Sequence, residues 1–474
     1  MLFNSIEFGI FLLIVFAAYW ALGKHRTYQN TLILIASYVF YGWWDYRFLI
    51  LIFISSTADY LCGLFIPRMN TKLKKRLLLL TSLIVNIGLL GFFKYYNFFI
   101  GSFIDFLGYA GFETHMHTLK IILPVGISFY TFQTLSYTID IYREKMKPTN
   151  NIIDFFAYVS FFPQLVAGPI ERAIHLLPQF QNDREFDYAS AADGMRQILL
   201  GLFKKVVIAD GVAHYVSVTF TSYSELNGST LLLGALLFYF QLYCDFSGYS
   251  DIAIGIGRLF GFDLVRNFAY PHLAPNIREF WKRWNISLTS WFRDYIYIPM
   301  GGARTGRWKN MRNTMTVFLI SGLWHGANWT FIFWGFLHGI SFIIYKQFKI
   351  LSDKLPLPRI NPALKYILSV FITFTFIAFA TIFFRARDIH SGTLIIKGIF
   401  SASLFEEPLF MPVQLIFICL LLIIEWIQRN KEHAFEIAYP YRFNIVFRWS
   451  FYLIITALIF MFGSKQQDFI YFQF

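Results

Sequence analysis

The chain has 474 residues, of which 57% are hydrophobic and 15% are charged, whereas soluble domains average about 45–50% and about 25%. This composition excludes an ordinary soluble protein and predicts a membrane protein. The formal net charge of +13 does not indicate nucleic-acid binding. Lys and Arg instead cluster in loops between apolar segments, which is typical of the positive-inside bias of membrane proteins.

Ten apolar segments are candidates for membrane-spanning helices, which need about 20 apolar residues each. The first lacks a preceding basic region, so we interpret it as a retained span and not as a cleaved signal peptide. Three cysteines, Cys62, Cys244 and Cys419, lie far apart in apolar segments and are interpreted as core residues. In chain order the segments are residues 5–23, 30–44, 46–66, 77–100, 121–142, 206–220, 231–257, 364–384, 412–428 and 449–463.

Two further apolar stretches are interrupted. Residues 152–170 are rich in Phe and end near Pro169, and residues 314–348 contain breaks at Gly322, Gly326 and Gly335. We interpret the first as re-entrant and the second as a hairpin. Such backbone is tolerated at membrane depth only where it is buried in protein or lines a wet cavity, so these stretches are predicted to wall a functional site.

Clusters of basic residues then fall on one side of the membrane if the N-terminus is extracytoplasmic. The sequence thus predicts an all-α polytopic protein with about ten to twelve transmembrane helices plus re-entrant or interfacial helices, in a single domain covering residues 1–474. The clusters that determine this topology are Lys24 and Arg26, residues 72–76, residues 143–147, and Lys204 and Lys205.

Residues 276–297, NIREFWKRWNISLTSWFRDYIY, have helical periodicity. Asn276 with Glu279 resembles a capping box. On one continuous helix, Arg283, Ser287 and Asp294 would share a face opposite an aromatic stripe, with Asn285 at the edge of that stripe. Two interpretations remain open: an interfacial helix with Trp anchors, or the roof of a cytoplasmic entrance that binds phosphates. The stripe consists of Ile277, Trp281, Trp284, Leu288, Trp291 and Tyr295, and the phosphate-binding cations would be Lys282, Arg283 and Arg293.

Two histidines, His325 and His338, lie in the apolar run SGLWHGANWTFIFWGFLHG, residues 321–339. An ionisable residue inside a membrane segment is a functional-site hypothesis by default. Thirteen residues rotate a helix by about 220°, so a metal pair is disfavoured unless the chain breaks between them. His338 is interpreted chiefly as a packing residue, and Asn328 is placed to orient the ring of His325.

Familiar catalytic motifs do not explain these histidines. The chain has no H-x-x-x-x-D, no H-E-x-x-H zinc motif and no G-x-S-x-G elbow. The loop GGARTGRW, residues 301–308, lacks the Lys and Ser or Thr of a P-loop. Other polar residues recur in apolar surroundings, where they form interhelical hydrogen bonds or line a wet interior; these are Gln164, Asp245, Ser247, Ser250 and Asp251.

Four stretches together carry a resemblance to a known family. FFPQLVAGPIER, YCDFSGYSDIAIG, FAYPHLAPNIREFWKRWNISLTSWFRDYIYIPMGG and SGLWHGANWTFIFWGFLHG closely resemble the membrane-bound O-acyltransferase (MBOAT) family. The alginate O-acetylase branch is most similar, and the D-alanyl transfer protein of teichoic acid synthesis is a more distant relative. The resemblance implies a ring of helices around a central tunnel, with a cytoplasmic opening and an extracytoplasmic funnel that meet at His325.

The resemblance also implies roles for residues. His325, in the WHG motif, would be the catalytic base. Many members carry His where this chain has Asn285, and an amide binds or positions but does not act as a general base. Supporting or substrate-positioning residues would be Asn285, Asn328, His338, Trp324, Asp245, Ser247 and Gln164, and donor-binding residues would be Lys282, Arg283, Arg293, Ser287 and Asp294.

The expected reaction moves an acyl group, most simply acetyl, from a cytoplasmic thioester to hydroxyls of an extracytoplasmic polysaccharide. The donor would be acetyl-CoA or an acyl carrier, with no bound cofactor or metal. An SGNH-type partner would assist in the envelope, and the enzyme would reside in the cytoplasmic (inner) membrane. Two alternatives remain: a transporter or proton relay based on intramembrane His and Asp, although no inverted repeat is found, and a non-catalytic family scaffold.

Overall fold

The computed structural model describes residues 1–112, 117–166, 168–304, 306–353, 361–437, 444–463, 467 and 469–472. Every regular element within these ranges is helical, which confirms the predicted all-α class. The chain divides into two compact units. The first unit comprises Met1–Gly194 with Ala253–Val265, and the second comprises Met195–Ile252 with Arg266–Phe474.

Helices α1 to α9 belong to the first unit, and α10 begins there. They are α1 Ile6–Ala21, α2 Arg26–Asp45, α3 Leu49–Phe65, α4 Lys72–Leu90, α5 Tyr96–Tyr109, α6 Ile127–Tyr142, α7 Ile152–Ser160, α8 Phe162–Leu165, α9 Ala173–Gln181 and α10 Tyr188–Leu202.

Helices α11 to α20 belong wholly or largely to the second unit. They are α11 Gly211–Thr221, α12 Gly228–Leu259, α13 Ile277–Trp281, α14 Ile286–Phe292, α15 Arg307–His325, α16 Trp329–Ser352, α17 Pro362–Arg385, α18 Ile389–Ile399, α19 Gln414–Ile427 and α20 Ile445–Phe462. In the part of the chain that the structure describes, π-helical segments interrupt the α-helices at Gly91–Tyr95, Phe203–Asp210 and Arg293–Tyr297.

Five helical stretches within the described ranges are long and apolar enough to cross a membrane. The first contains both α2 and α3, which the sequence predicts as two separate spans. Two shorter apolar helices, α1 and α19, also match predicted spans. The prediction of a polytopic membrane protein therefore agrees with the helices, while the number of ten to twelve spans stays a prediction. The five stretches are Arg26–Arg68, Lys72–Tyr109, Gly228–Leu259, Pro362–Arg385 and Ile445–Phe462.

The first unit contains a buried polar cluster, which we call the Asp59 cluster: Asp59, Ser55, Ser82, Asn86, Thr134 and Thr138, all from α3, α4 and α6. The Asp59 carboxylate accepts hydrogen bonds from the Ser82 hydroxyl, from Thr138 Oγ1 at 2.8 Å and from Asn86 Nδ2 at 2.8 Å. The side-chain amide oxygen of Asn86, Oδ1, accepts hydrogen bonds from the hydroxyls of Ser55 and Thr134. Neutral donors thus satisfy a fully buried carboxylate.

The predicted hairpin at 314–348 is confirmed, but its break differs from the prediction. Only residues 326–328 interrupt the helices, between α15 and α16. Gly322 and Gly335 instead lie inside helices where the backbones meet: an added Cβ would lie 2.2 Å from the Phe331 carbonyl oxygen or 2.3 Å from that of Phe318. Glycine is therefore needed for close helix packing.

The prediction of one helix over 276–297 is wrong. Asn276 does cap α13 by accepting from the Glu279 N–H at 3.0 Å, but α13 ends at Trp281 and α14 begins at Ile286. Asn285 between them has φ 42° and ψ 59°, a left-handed conformation that Asn tolerates better than most residues. The break rotates α14 relative to α13, so Arg283, Ser287 and Asp294 do not share one helical face.

The Trp side chains of this segment do not face lipid. Trp281, Trp284 and Trp291 are 7%, 4% and 5% exposed, because they pack against other rings of the second unit. The interpretation as an interfacial helix with Trp anchors is therefore wrong.

The expectation of three core cysteines also needs one correction, since Cys62 and Cys244 are buried but Cys419 is exposed on the apolar helix α19.

Candidate functional site

His325 is the last residue of α15 and is 2% exposed. Its ring is surrounded by aromatic rings from the hairpin, from α17 and from the segment 469–472. The centroid of the imidazole lies 4.9 Å from Trp324, 5.1 Å from Trp334, 5.1 Å from Phe384 and 5.6 Å from Tyr471. These rings restrict the orientation of the imidazole and exclude bulk water from it.

His338 lies on α16 and shares one wall with His325. The Trp334 ring contacts both imidazoles, at 5.1 Å from His325 and 4.5 Å from His338. The two histidines approach because the chain reverses between them at residues 326–328. His338 is 1% exposed and also contacts Trp281 at 5.0 Å and Phe376 at 5.6 Å. Neither of its ring nitrogens has a hydrogen-bond partner among the described residues.

Asn285 is 2% exposed and begins α14. Its Nδ2 has no hydrogen-bond partner within the described part of the chain, and the same holds for Nδ2 of Asn267. The Ser287 hydroxyl donates to Asn267 Oδ1 at 2.6 Å, and the Ile286 N–H donates to the Asn267 carbonyl at 2.9 Å. Buried amide donors without partners are rare in proteins and indicate that water or a ligand group completes them.

The predicted donor-binding cations differ in their availability. Lys282 pairs with Glu279 at 2.8 Å, and its ammonium lowers the pKa of the Glu279 carboxyl through that hydrogen bond. Arg293 pairs with the neighbouring Asp294 at 2.7 Å. Arg283 is half-buried and forms no salt bridge with a carboxylate of the described ranges. Of the three cations, Arg283 is therefore the one whose charge is least compensated.

Three other predicted site residues, Asn328, Gln164 and Ser247, lie in different parts of the fold. Asn328 is exposed and caps α16, since its Oδ1 accepts from the Thr330 N–H at 3.0 Å. Gln164 belongs to the first unit, where its amide donates to the Tyr158 carbonyl at 3.3 Å. Ser247 is buried on α12, and its hydroxyl has no partner among the described residues.

Asp245 is buried in an ionic cluster that sequence reasoning missed. It lies 2.7 Å from Lys205, and its second oxygen accepts from the Ile470 N–H at 2.6 Å. Lys205 is 1% exposed and Lys204 is 4% exposed, so the interpretation of these lysines as loop residues that mark membrane topology is wrong. Both lie in the π-helical segment Phe203–Asp210, a class of local distortion that is frequent at functional sites.

Lys204 belongs to a second buried network. Its ammonium lies 2.9 Å from Asp251 and 3.3 Å from Glu425. Glu425 also accepts from the Tyr243 hydroxyl at 2.8 Å and lies 3.1 Å from His272 Nε2. The sequence singled out Asp251 as a buried polar residue and Lys204 only as a marker of topology. It did not predict the network, because the members lie on segments far apart in the chain.

Sequence reasoning also missed Tyr471. Its ring contacts His325 at 5.6 Å, Phe246 at 4.7 Å and Phe384 at 6.2 Å. It lies outside every predicted span, and the aromatic cluster IYFQF at residues 470–474 was the one signal available.

Within the described residues, no three side chains of His, Cys, Asp or Glu lie close enough together to hold a metal ion.

A comparison with known families identifies the class of this helical protein. The family model of the MBOAT, membrane-bound O-acyltransferase family, matches residues 102–386. This range covers more than half of the chain and includes both histidines, so the protein belongs to the MBOAT family and is an O-acyltransferase.

Curated relatives refine this assignment. The chain is 34% identical to the peptidoglycan O-acetyltransferase of Helicobacter pylori, over 100% of this chain and 98% of that protein. It is 40% identical to the probable alginate O-acetylase AlgI of Pseudomonas aeruginosa, over 86% of this chain and 76% of that protein. The teichoic acid D-alanyltransferase of Bacillus subtilis is 27% identical over 62% of this chain and 75% of that protein. The predicted resemblance is confirmed.

Proposed function

We propose that the protein transfers an acetyl group from a cytoplasmic thioester toward hydroxyl groups of a polysaccharide outside the membrane, with His325 as the general base. The observation that carries this proposal is the burial of the WHG imidazole at the break of the α15–α16 hairpin, within a cage of four aromatic rings. The names of the relatives support acetyl as the acyl group and an envelope polymer as its destination.

The proposed step is an acyl transfer in which atoms and charges balance. The imidazole of His325 removes the proton from an acceptor hydroxyl while the oxygen attacks the thioester carbonyl. The carbon–sulfur bond breaks, and the leaving thiolate takes the proton from the imidazolium. General base catalysis of this kind contributes about 10²- to 10⁴-fold. Asn285 then acts by hydrogen bonding, since an amide does not titrate.

The donor site follows from the unpaired polar atoms beside α13 and α14. Arg283 would bind a phosphate of acetyl-CoA or of an acyl carrier, since phosphate recognition by guanidinium is strong and directional. The buried Nδ2 groups of Asn285 and Asn267 would donate to the acyl thioester arm. Lys282, Arg293, Ser287 and Asp294 would shape this entrance, with Lys282 and Arg293 already neutralised by carboxylates.

Tyr471 belongs to the reacting site in this proposal. Its ring centroid lies 5.6 Å from that of His325, and we propose that the phenol is one of the hydroxyls from which His325 removes a proton. His338 and Trp324 support the imidazole by packing. An SGNH-type partner outside the membrane would complete delivery to the polymer, the protein would reside in the cytoplasmic membrane, and its N-terminus would be extracytoplasmic.

The test is the amount of ester-linked acetate on the surface polysaccharide of cells that carry each variant at equal membrane level. His325→Ala is expected to remove at least about 99% of the acetate, given the size of base catalysis. His390→Ala is the matched control, because His390 is exposed on α18, and it should leave acetate unchanged. Undiminished acetate in His325→Ala would exclude the proposed base.

In the same assay, Tyr471→Phe distinguishes the contribution of the phenol hydroxyl from that of the aromatic ring. Phenylalanine keeps the aromatic contacts with His325 and Phe246 but removes the hydroxyl. We expect acetate to fall by about 100-fold or more, the lower end of the contribution of a group that takes part in proton transfer. Wild-type acetate in Tyr471→Phe would restrict Tyr471 to packing and would leave the assignment of His325 untouched.

A further inference from the structure

Backbone atoms of residues 467 and 470 are bound by three charged side chains of the second unit, Lys205, Asp210 and Asp245. These side chains lie on the π-helical segment Phe203–Asp210 and on α12. They are far from residues 467 and 470 in sequence. Asp245 lies in the YCDFSGYSDIAIG stretch, but the proposed acyl transfer assigns no step to any of the three side chains.

Lys205 is the centre of this arrangement. Its ammonium lies 2.7 Å from Asp245 Oδ1 and 2.9 Å from Asp210 Oδ1, and it donates to the Gln467 carbonyl at 3.0 Å. An ammonium has three donors, so the third is used by the main chain of Gln467. Without that carbonyl, a buried N–H of Lys205 would lack an acceptor, which is costly at 1% exposure.

The two carboxylates hold the same part of the chain from the other side. Asp245 Oδ2 accepts from the Ile470 N–H at 2.6 Å, and the Gln467 N–H donates to Asp210. When both carboxylates are ionised, they exceed the single ammonium by one negative charge, and the two backbone N–H groups compensate this excess as charge-assisted donors. The main chain of Gln467 and Ile470 thus completes a buried ionic site that would be unbalanced without it.

A ring next to this site fixes the direction of the chain. Phe469 is fully buried, and its ring lies 4.5 Å from Tyr249 and 5.8 Å from Phe246. Phe246 also contacts the ring of Tyr471 at 4.7 Å. Since Gln467 and Ile470 are bound through backbone atoms and Phe469 through its ring, residue 471 has little freedom in where it lies.

We propose that Lys205, Asp210 and Asp245 form a clamp that binds the backbone at residues 467 and 470 and thereby positions Tyr471 beside His325. The three side chains are positioning residues, because they act on the reacting site through the main chain that they hold. The inference rests on the proposed function in one respect: the clamp matters for acetyl transfer only if the chemistry occurs at His325.

The first measurement reports the position of residue 470 without using activity. In the full-length protein, Ile470→Cys places a thiol at a position that is 3% exposed and keeps the N–H that Asp245 accepts. The rate of maleimide labelling of residue 470 is followed by mass spectrometry. Adding Asp245→Ala is expected to speed labelling by about tenfold or more, because a buried hydrogen bond and an ion pair are lost.

Asp251→Ala is the matched control. Asp251 lies on the same helix and pairs with Lys204, so this variant breaks a neighbouring buried ion pair without touching the clamp. Labelling of the thiol at position 470 is expected to stay within about twofold of the parent rate. Equal acceleration by Asp245→Ala and Asp251→Ala would mean general loosening of α12 and would overturn the clamp. No acceleration in Asp245→Ala would overturn it as well.

The second measurement is the surface acetate of Ile470→Pro and Ile470→Val. Proline removes the N–H that Asp245 accepts, and its φ suits Ile470, which begins a 3-10 turn. We expect Ile470→Pro to lower acetate by about tenfold and Ile470→Val to retain several times more. Equal acetate in the two variants would contradict the role of the N–H.

The clamp and the proposed function fail separately. If His325→Ala retains acetate, the proposed base is excluded, while faster labelling of the thiol at position 470 in Asp245→Ala alone still supports the clamp. If His325→Ala abolishes acetate but labelling is unaffected by Asp245→Ala, the clamp is overturned and the base is kept. Asp245→Asn is a milder variant for the case that Asp245→Ala misfolds, because the amide oxygen of Asn still accepts from the Ile470 N–H. Its labelling rate is expected to lie between those of the parent and Asp245→Ala.

Discussion

Two sets of buried polar residues, one in each unit, differ in how their hydrogen bonds are satisfied. In the Asp59 cluster of the first unit, the carboxylate accepts three hydrogen bonds and the Asn86 carbonyl accepts two. In the second unit, Nδ2 of Asn285, the hydroxyl of Ser247 and both ring nitrogens of His338 have no partners among the described residues. Polar burial alone therefore does not identify a reactive site.

The difference has a physical meaning. A saturated cluster fixes the packing of α3, α4 and α6 and offers no atom to a ligand. Unsatisfied donors in a buried region carry a free-energy cost, and water or a substrate recovers it by binding there. We therefore expect substitutions in the Asp59 cluster to change stability, and substitution of His325 to change chemistry.

The largest expected effect on stability is that of Asp59→Ala. Removal of the carboxylate leaves donors of Ser82, Asn86 and Thr138 unpaired in an apolar interior, at about 1–3 kcal/mol each. We expect the free energy of unfolding to fall by about 3 kcal/mol or more, measured by denaturant or thermal unfolding in detergent. Surface acetate per folded molecule should be unchanged. If Asp59→Ala lost acetate but kept full stability, the distinction between the Asp59 cluster and the polar groups of the second unit would be wrong.

A smaller loss is expected from Gly335→Ala. The new Cβ would lie 2.3 Å from the Phe318 carbonyl oxygen, so α15 and α16 would have to separate, at about 1–3 kcal/mol. Acetate should also fall, because Trp334 on α16 contacts His325. The matched control is Gly101→Ala in α5, where no atom lies within 4 Å of the added Cβ. If both variants have equal stability, glycine packing does not hold the hairpin.

His338→Phe tests whether the second histidine belongs to the chemistry. Phenylalanine keeps the ring contacts with Trp281, Trp334 and Phe376 but has no ring nitrogen. Because we assign His338 a packing role, acetyl transfer should stay within about threefold of wild type, a change of about 0.7 kcal/mol in activation free energy. A loss as large as that of His325→Ala would show that a ring nitrogen of His338 takes part.

The smallest of the expected losses of stability is that of Asn328→Ala. Asn328→Ala removes the N-cap of α16 and should lower the free energy of unfolding by about 1 kcal/mol. Asn328→Ser restores a capping side chain and should restore stability. Acetate is expected to follow stability in both variants. If both lose acetate while Asn328→Ser remains stable, the amide acts on His325 or on the acceptor.

The sequence predicted the helical class, the interrupted hairpin and the burial of the WHG histidine, because periodicity and the placement of ionisable residues are local signals; the catalytic role of that histidine stays a prediction. It did not predict the break at Asn285, since Asn tolerates a positive φ but does not require one. It assigned Lys204 and Lys205 to a loop because buried cations are identified only by their partners. Asp245 meets Lys205 and Ile470 across long separations in the chain, and no local pattern encodes such contacts.

The most direct test of His325 as the base measures the initial rate of acetyl transfer and not the steady-state amount of acetate on the polymer. Membranes with equal amounts of each protein are supplied with a labelled acetyl thioester, and the initial rate of label incorporation into envelope polymer is measured. We predict that His325→Ala lowers this rate by about 100-fold or more, while His390→Ala and Asp59→Asn, corrected for folded protein, stay near wild type. A His325→Ala rate within about threefold of wild type would contradict the assignment of the base.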